Sequence, residues 1–326
     1  MLIRIEGRGV TAAIRFCLSN RKNHDSPSPS LFRLHFLVTG IRRVCRRTFV
    51  PSFTAQAMAD LSPADQDKFT DGLDFWSSII TGHRDGVNRT YTLTIDTFNE
   101  GVSPQNTITL GSAGPTEGVF SNVVPGALTS DGKFILATKG IASFNVNPAA
   151  GTLSALVIRH EIGHAIGIGT LWEDNEVYND GVAANSNRTA TVGSPGQYSG
   201  AFALAAYKLE YDPAATFVPV ELDGGGGTAN GHWNEVADNP NSENTPGFDI
   251  NPGDGQAAPV VLFGPNAGLS RDDELMTGFL SGTAYLSNTT IQSLVDLGFT
   301  VSTPVPEPSV LAFAGLAILC GFRRRR

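Results

Sequence analysis

The spacing of apolar positions changes period several times along the chain, and each change predicts an element. In "LSPADQDKFTDGLDFWSSIITG" (residues 61–82), Phe69, Leu73, Trp76 and Ile80 recur at helical spacing, so one face of a helix is set for burial. "RTYTLTIDTF" (89–98) switches to a period of two, the mark of a half-buried strand. "KFILATKGIASFNVN" (133–147) offers one or two more strands. "GTLSALVIRHEIGHAIG" (151–167) returns to helix, with Thr152 as its expected N-cap and Gly167 at its end. Beyond it the chain is rich in Gly, Asn, Pro and Asp and reads mostly as loop. Two helices interrupt that stretch, in "SGAFALAAYKLEY" (199–211) and in "SNTTIQSLVDLG" (287–298). The second is opened by Ser287 or Asn288 and closed by Gly298. A sheet with helices followed by an irregular half makes an α+β fold. There is no internal repeat.

Charge divides the 326 residues into three parts. Residues 1–59 carry ten Lys/Arg against Glu6 and Asp25, and residues 304–326 carry four Arg against Glu307. Residues 60–303 hold nine Lys/Arg against 28 Asp/Glu, so the central part is strongly acidic. Such a surface excludes nucleic acid as a partner, since phosphates are bound by clustered positive charge. It suits an exported domain kept apart by self-repulsion. The three cysteines, Cys17, Cys45 and Cys320, lie outside the acidic part, which must therefore fold without an internal disulfide. At about 240 residues it has core enough to do so.

Both ends read as something other than folded domain. At the C-terminus, "VPEPSVLAFAGLAILCGFRRRR" is a Pro-Glu-Pro motif, a 14-residue apolar run from Ser309 to Phe322, and four arginines. The run is short for a membrane span, but basic residues after it match the rule that leaves positive charge in the cytoplasm. The stretch resembles the PEP-CTERM sorting signal of Gram-negative bacteria. That resemblance implies an exosortase as processing partner, export to the cell surface, and membrane contact only through the tail. Residues 1–59 form a basic leader that reads as a possible signal peptide or as a misassigned start. "IRRVCRRTFVPSFTAQAMA" supplies the basic part and an Ala57-Met58-Ala59 end, but its apolar part is short and contains Pro51.

The chemistry concentrates in "HEIGHAIGIGTLW" (160–172). Residues four apart share a helix face, so His160 and His164 direct two imidazoles at one point. Glu161, beside the first, is placed to take a proton from a metal-activated water. The rest of the helix is apolar, through Leu153, Leu156, Val157, Ile158, Ile162 and Ile166, and histidines buried there need polar partners. Zinc is the expected ion, and a catalytic zinc takes three protein ligands and one open position. The acidic part has two further histidines. His83, in "TGHRDG", reads as an exposed loop residue. His232, in "GGGGTANGHWNE", is flanked by glycines that let backbone approach a metal, and it is the preferred third ligand. Glu173 and Glu176 are the alternatives, but both lie too close to His164 for a returning helix. "FDINPGDGQ" (Asp249, Asn251, Asp254) has the flavour of a calcium loop, though a series of Asx turns explains it as well. Trp172 and Trp233 stand near proposed ligands, either lining a cleft or anchoring the core, and the second is preferred.

Together, "HEIGHAIGIGTLW", "GGTANGHWNE" and "DELMTGFLSGTAYLSNTTIQSLVDLGF" resemble the leishmanolysin-like metallopeptidases, a metzincin branch whose third histidine is delayed by an insertion. The resemblance spans roughly residues 65–301. It implies an N-terminal subdomain with a twisted mixed sheet and active-site helix, followed by a loop-rich C-terminal subdomain. It further implies zinc on His160, His164 and His232, Glu161 as general base, Met276 in a turn beneath the histidines, and a protein or peptide substrate. Two departures stand out. The cysteines of leishmanolysin are missing, and Gly278 occupies the position where some metzincins carry a reaction-assisting tyrosine. Tyr285 is a candidate for that task, with packing the stronger expectation. A different class of function is also open: a surface-displayed matrix or binding protein whose zinc is only structural.

Overall fold

The structure is a computed structural model that describes residues 4–7, 10–13, 48–103, 108–151, 153–179, 196–221, 228–234, 260–264, 266–278, 280 and 284–302. The chain divides into Met1–Val44 and Cys45–Arg326. In the first unit, β1 (Arg4–Gly7) and β2 (Val10–Ala13) pair as an antiparallel hairpin. All further elements belong to the second.

That unit opens with β3 (Thr48–Phe53), α1 (Ala55–Asp60), α2 (Pro63–Ile79) and β4 (Ile80–His83). Next come β5 (Thr90–Phe98), β6 (Gly111–Phe120), β7 (Ile135–Asn145) and α3 (Ala155–Ile166). The main sheet has the order β3-β5-β7-β6. β3, β5 and β7 run parallel, and β6 closes one edge antiparallel to β7. Alternation in β5 puts Tyr91, Leu93 and Ile95 wholly inside. The helices cover this apolar face. Phe69 of α2 meets Phe144 of β7 edge-on at 4.9 Å, and the Tyr91 hydroxyl donates to the Ala165 carbonyl of α3 at 2.6 Å. Trp76 is fully buried and donates its indole N–H to the Arg159 carbonyl, which ties α2 to α3.

The sheet begins upstream of residue 60. Thr48–Phe53, placed on charge in the basic leader, pair with Thr90–Ile95, and Ala57 of the supposed cleavage end is fully buried in α1. Pro51 lies within β3, and a strand tolerates proline at the edge of a sheet, where β3 lies. β6 was not foreseen either. "GSAGPTEGVF" is an exposed edge with no apolar alternation to betray it. The N-cap of α3 is Ser154, whose hydroxyl accepts from Leu156 N–H, and not Thr152, which lies outside the described residues.

In the second half, β8 (Tyr178–Asn179), β9 (Gly196–Tyr198) and β10 (Val218–Val220) form a small antiparallel sheet. α4 (Ala201–Glu210) and α5 (Asn288–Asp296) pack together, and β11 (Phe299–Val301) returns to pair with β4. The α+β reading holds, and among the described residues no helix is long and apolar enough to cross a membrane.

α4 and α5 cap each other. Glu210, the last residue of α4, accepts the N–H groups of Asn288 and Thr289 at the start of α5 and the Thr289 hydroxyl. Asp296, the last residue of α5, accepts the N–H groups of Phe202 and Ala203 at the start of α4 and the Tyr198 hydroxyl. The exchange fixes the helices antiparallel and puts a carboxylate at each positive helix end. Gly200, the local N-cap of α4, has no side chain to do this.

Burial raises the Asp296 carboxyl from 3.8 to about 6, against the pull of its donors. The folded pKa lies above the unfolded one, so the contribution is fully present below about pH 4 and lost as pH rises through about 6. The interval corresponds to roughly 3 kcal/mol. The stability of the wild-type protein relative to Asp296→Asn is expected to decline by that order between pH 4 and 7 in urea unfolding. A difference independent of pH would show that the buried carboxylate ionises freely.

Candidate metal centre

α3 presents His160 and His164 on one face, and the loop carrying His232 brings a third imidazole to them. The Nε2 atoms of the three rings lie 3.1 Å (His160–His232), 3.0 Å (His160–His164) and 2.9 Å (His164–His232) apart. All three side chains are buried.

Each ring is aimed from behind by a backbone carbonyl. His160 Nδ1 meets Leu275 O at 2.7 Å, His164 Nδ1 meets Ile168 O at 2.9 Å, and His232 Nδ1 meets Thr228 O at 2.7 Å. A carbonyl only accepts, so every Nδ1 carries its proton and donates. In a neutral imidazole the opposite nitrogen is then a bare lone pair, and three such lone pairs face one point. Burial pushes His160 down to about 3, with His164 adding to the effect, and His164 down to about 4. Burial and the two neighbours push His232 well down also. Protonation therefore does not relieve the repulsion near neutral pH.

A metal ion fits these residues. Tetrahedral coordination with nitrogens about 2.0–2.1 Å from the ion sets them about 3.3 Å apart, close to what is found. Three neutral imidazoles, each with its far nitrogen hydrogen-bonded, suit first-row divalent ions such as zinc, copper, iron or nickel. The cluster could thus hold a metal ion through His160, His164 and His232.

Local structure explains the aim. Gly167 ends α3 at φ 129°, where a side chain is strained, and its turn carries the Ile168 carbonyl back to His164. Thr170 donates its hydroxyl to the His164 carbonyl. His232 is held by Glu221 N–H on its own carbonyl, and its neighbour Trp233 donates N–H to Met276 O. Leu275 and Met276 thus offer successive carbonyls to the two sides of the cluster. Met276 is fully buried against α3, where Gly163 makes room: a Cβ there would stand 2.8 Å from the Met276 sulfur. Below, the buried Glu274 carboxylate accepts from Met276 N–H, Ser287 N–H, and the hydroxyls of Ser287 and Thr290.

Glu161 is buried beside the first histidine, and burial pushes its carboxyl up to about 8. A positive charge on the three imidazoles acts in the opposite direction and favours the carboxylate. Its side chain packs against β6, where a Cβ on Gly111 would come within 2.9 Å of Oε1.

Other expected residues lie elsewhere. His83 is not an exposed loop residue. It ends β4, is buried against the Phe299 ring at 5.4 Å, and directs Nδ1 to Val87 O. Pairing of β11 with β4 covers it, a contact from the far end of the chain that local patterning does not reveal. Glu173 and Glu176 are exposed, and Glu176 accepts from Ser130 N–H. Tyr285 directs its hydroxyl to that of Tyr211 at 2.7 Å, a packing role. Trp172 and Trp233 are core anchors, their rings tilted against each other 4.5 Å apart and enclosed with Tyr198. Asp249, Asn251 and Asp254, the calcium candidates, lie outside the described residues. The orienting carbonyls were missed because backbone groups have no signature in sequence. The one available signal was Gly167, which marks where the helix stops.

Comparison with family models finds the PEP-CTERM protein-sorting motif at residues 304–326. The motif implies an exported, surface-sorted protein processed by an exosortase. Comparison with curated proteins gives no match.

One equivalent of Zn2+ is expected to bind and raise the melting temperature, and His232→Ala to weaken binding by about 100-fold or more. In the metal-stripped protein the folded pKa values of His160 and His164 lie below the unfolded 6.5. The unfolded chain alone takes up protons below that pH, so stability should fall as pH drops from 6.5 towards 4. Calorimetry with and without chelator reads both effects. Unchanged affinity in His232→Ala would point to another ligand.

Proposed function

We propose that the chain is an exported, surface-sorted zinc metalloendopeptidase of the leishmanolysin-like, metzincin type. His160, His164 and His232 hold the ion, and Glu161 is the general base. The observation that carries this reading is the convergence of three buried Nε2 atoms beside a buried carboxylate that packs on the open edge of a sheet. Met276 packed under the histidines supports the same assignment.

When bound, zinc supplies Lewis acidity, polarising a scissile carbonyl and bringing water ionisation near neutral pH. Glu161 takes the proton of the attacking water on its carboxylate and delivers it to the leaving amine. Leu275, Ile168 and Thr228 keep the imidazole protons on Nδ1, so that all three Nε2 atoms serve as ligands. Close burial of the cluster excludes bulk water from the ligands.

The sheet edge favours an extended polypeptide as substrate. Asn145 N–H donates to Leu110 O, and Gly111 stands opposite Phe144. Alternation of an antiparallel ladder then turns the N–H and C=O of Gly111 and Ala113 away from β7. Among the described residues β6 pairs with β7 alone, so these groups are available to a further strand next to Glu161. Pro115 has no N–H, and the register shift beyond it ends the ladder-like edge.

The zinc-loaded protein is expected to cleave an unfolded, generic polypeptide and to stop when a chelator is added. Glu161→Ala should keep its zinc and lose about 10²–10⁴-fold in kcat. Mass spectrometry of the products and metal analysis decide. A zinc-replete protein that cleaves nothing would favour the structural metal of a display protein.

A further inference from the structure

We infer that Gly111 is a positioning residue for Glu161: the missing side chain leaves the space that the carboxylate occupies, and the β6 backbone sets where it stands. The inference rests on the reading of Glu161 as general base. A Cβ at position 111 would lie 2.9 Å from Glu161 Cγ, 2.9 Å from Oε1 and 3.0 Å from Cδ, so the end of the Glu161 side chain would have to shift to admit it. The conflict involves the whole end of the side chain, so turning the carboxylate alone does not remove it.

No polar group among the described residues holds that carboxylate. Among the described residues no hydrogen bond or ion pair is made to it, in contrast to Glu274, Glu210 and Asp296, each of which accepts three or more hydrogen bonds. A side chain restrained by hydrogen bonds tolerates a shift in its packing. One restrained by contact goes where the contact sends it. β6 is a firm wall here, because Leu110, next to Gly111, accepts from Asn145 N–H and the strand runs in register with β7 from Gly111 to Pro115. Gly111 also turns its own N–H and C=O to the open edge, so one residue adjoins both the base and the face where an extended substrate would lie.

The test is a pair of double-mutant cycles on the full zinc-loaded chain. Gly111→Ala should lower the melting temperature by about 3–8 °C in the wild-type background and by less than about 1 °C in Glu161→Ala, which lacks the atoms that a Cβ meets. This cycle reads the contact without any catalysis. Gly111→Ala should also lower kcat by about 10-fold or more, with KM within about 2-fold and one zinc retained. In Glu161→Asp, whose carboxylate is one methylene shorter, the same change should cost less than about 2-fold. Equal melting shifts in both backgrounds, or equal kcat losses, would overturn the inference. A wild-type protein without peptidase activity would refute the proposed function, while the melting cycle would still report on the contact.

Discussion

Three imidazole lone pairs aimed at one point repel one another, and the second half of this fold is arranged to hold them there. The rings would turn apart if their far nitrogens were free. Hydrogen bonds to the carbonyls of Leu275, Ile168 and Thr228 prevent it, and each carbonyl is itself fixed by a turn. Burial then removes the simplest relief, since a proton is poorly tolerated at any of the three. A cation at that point would offset the cost.

From this constraint the supporting structure can be followed outward. The Leu275 carbonyl holds its place because Leu275 N–H bonds Tyr285 O and the next residue is fastened to the Glu274 carboxylate. Glu274 in turn bonds Ser287 and Thr290 in the first turn of α5. α5 is secured by Glu210 from α4, and α4 by Asp296 from α5. A chain of hydrogen bonds thus joins His160 to the two helices that follow its own in sequence. Residues 48–302 contain no cysteine, and there such buried carboxylates do the cross-linking.

How much of this was legible in the sequence depended on range. His160, Glu161 and His164 announced themselves because i and i+4 share a helix face, a purely local rule. His232 emerged because so few histidines stand in the acidic part. β5, α2 and α5 showed their periodicity because one face of each is buried. The failures are of two kinds. β3 and β6 are edge strands whose composition answers to solvent and to neighbouring side chains, and not to a core. His83 and the reciprocal caps depend on partners brought from elsewhere in the chain, and local spacing is blind to those. Gly111 belongs with them: its lack of a side chain has meaning only once Glu161 is seen across from it.

The exchange of carboxylates between α4 and α5 has a consequence for how this domain tolerates change. Glu210 and Asn288 stand 78 residues apart, yet the junction between them is made by side chains and not by a short turn. Closing a flexible loop grows more costly only with the logarithm of its length, about 0.6 kcal/mol for each doubling. Surface segments between the two helices are therefore free to lengthen, shorten or be replaced by a foreign module, provided that His232, the Leu275–Met276 carbonyls and the two caps are kept. Variation among such proteins should accumulate there, and a designer seeking to graft a recognition loop beside the three histidines would begin between these helices.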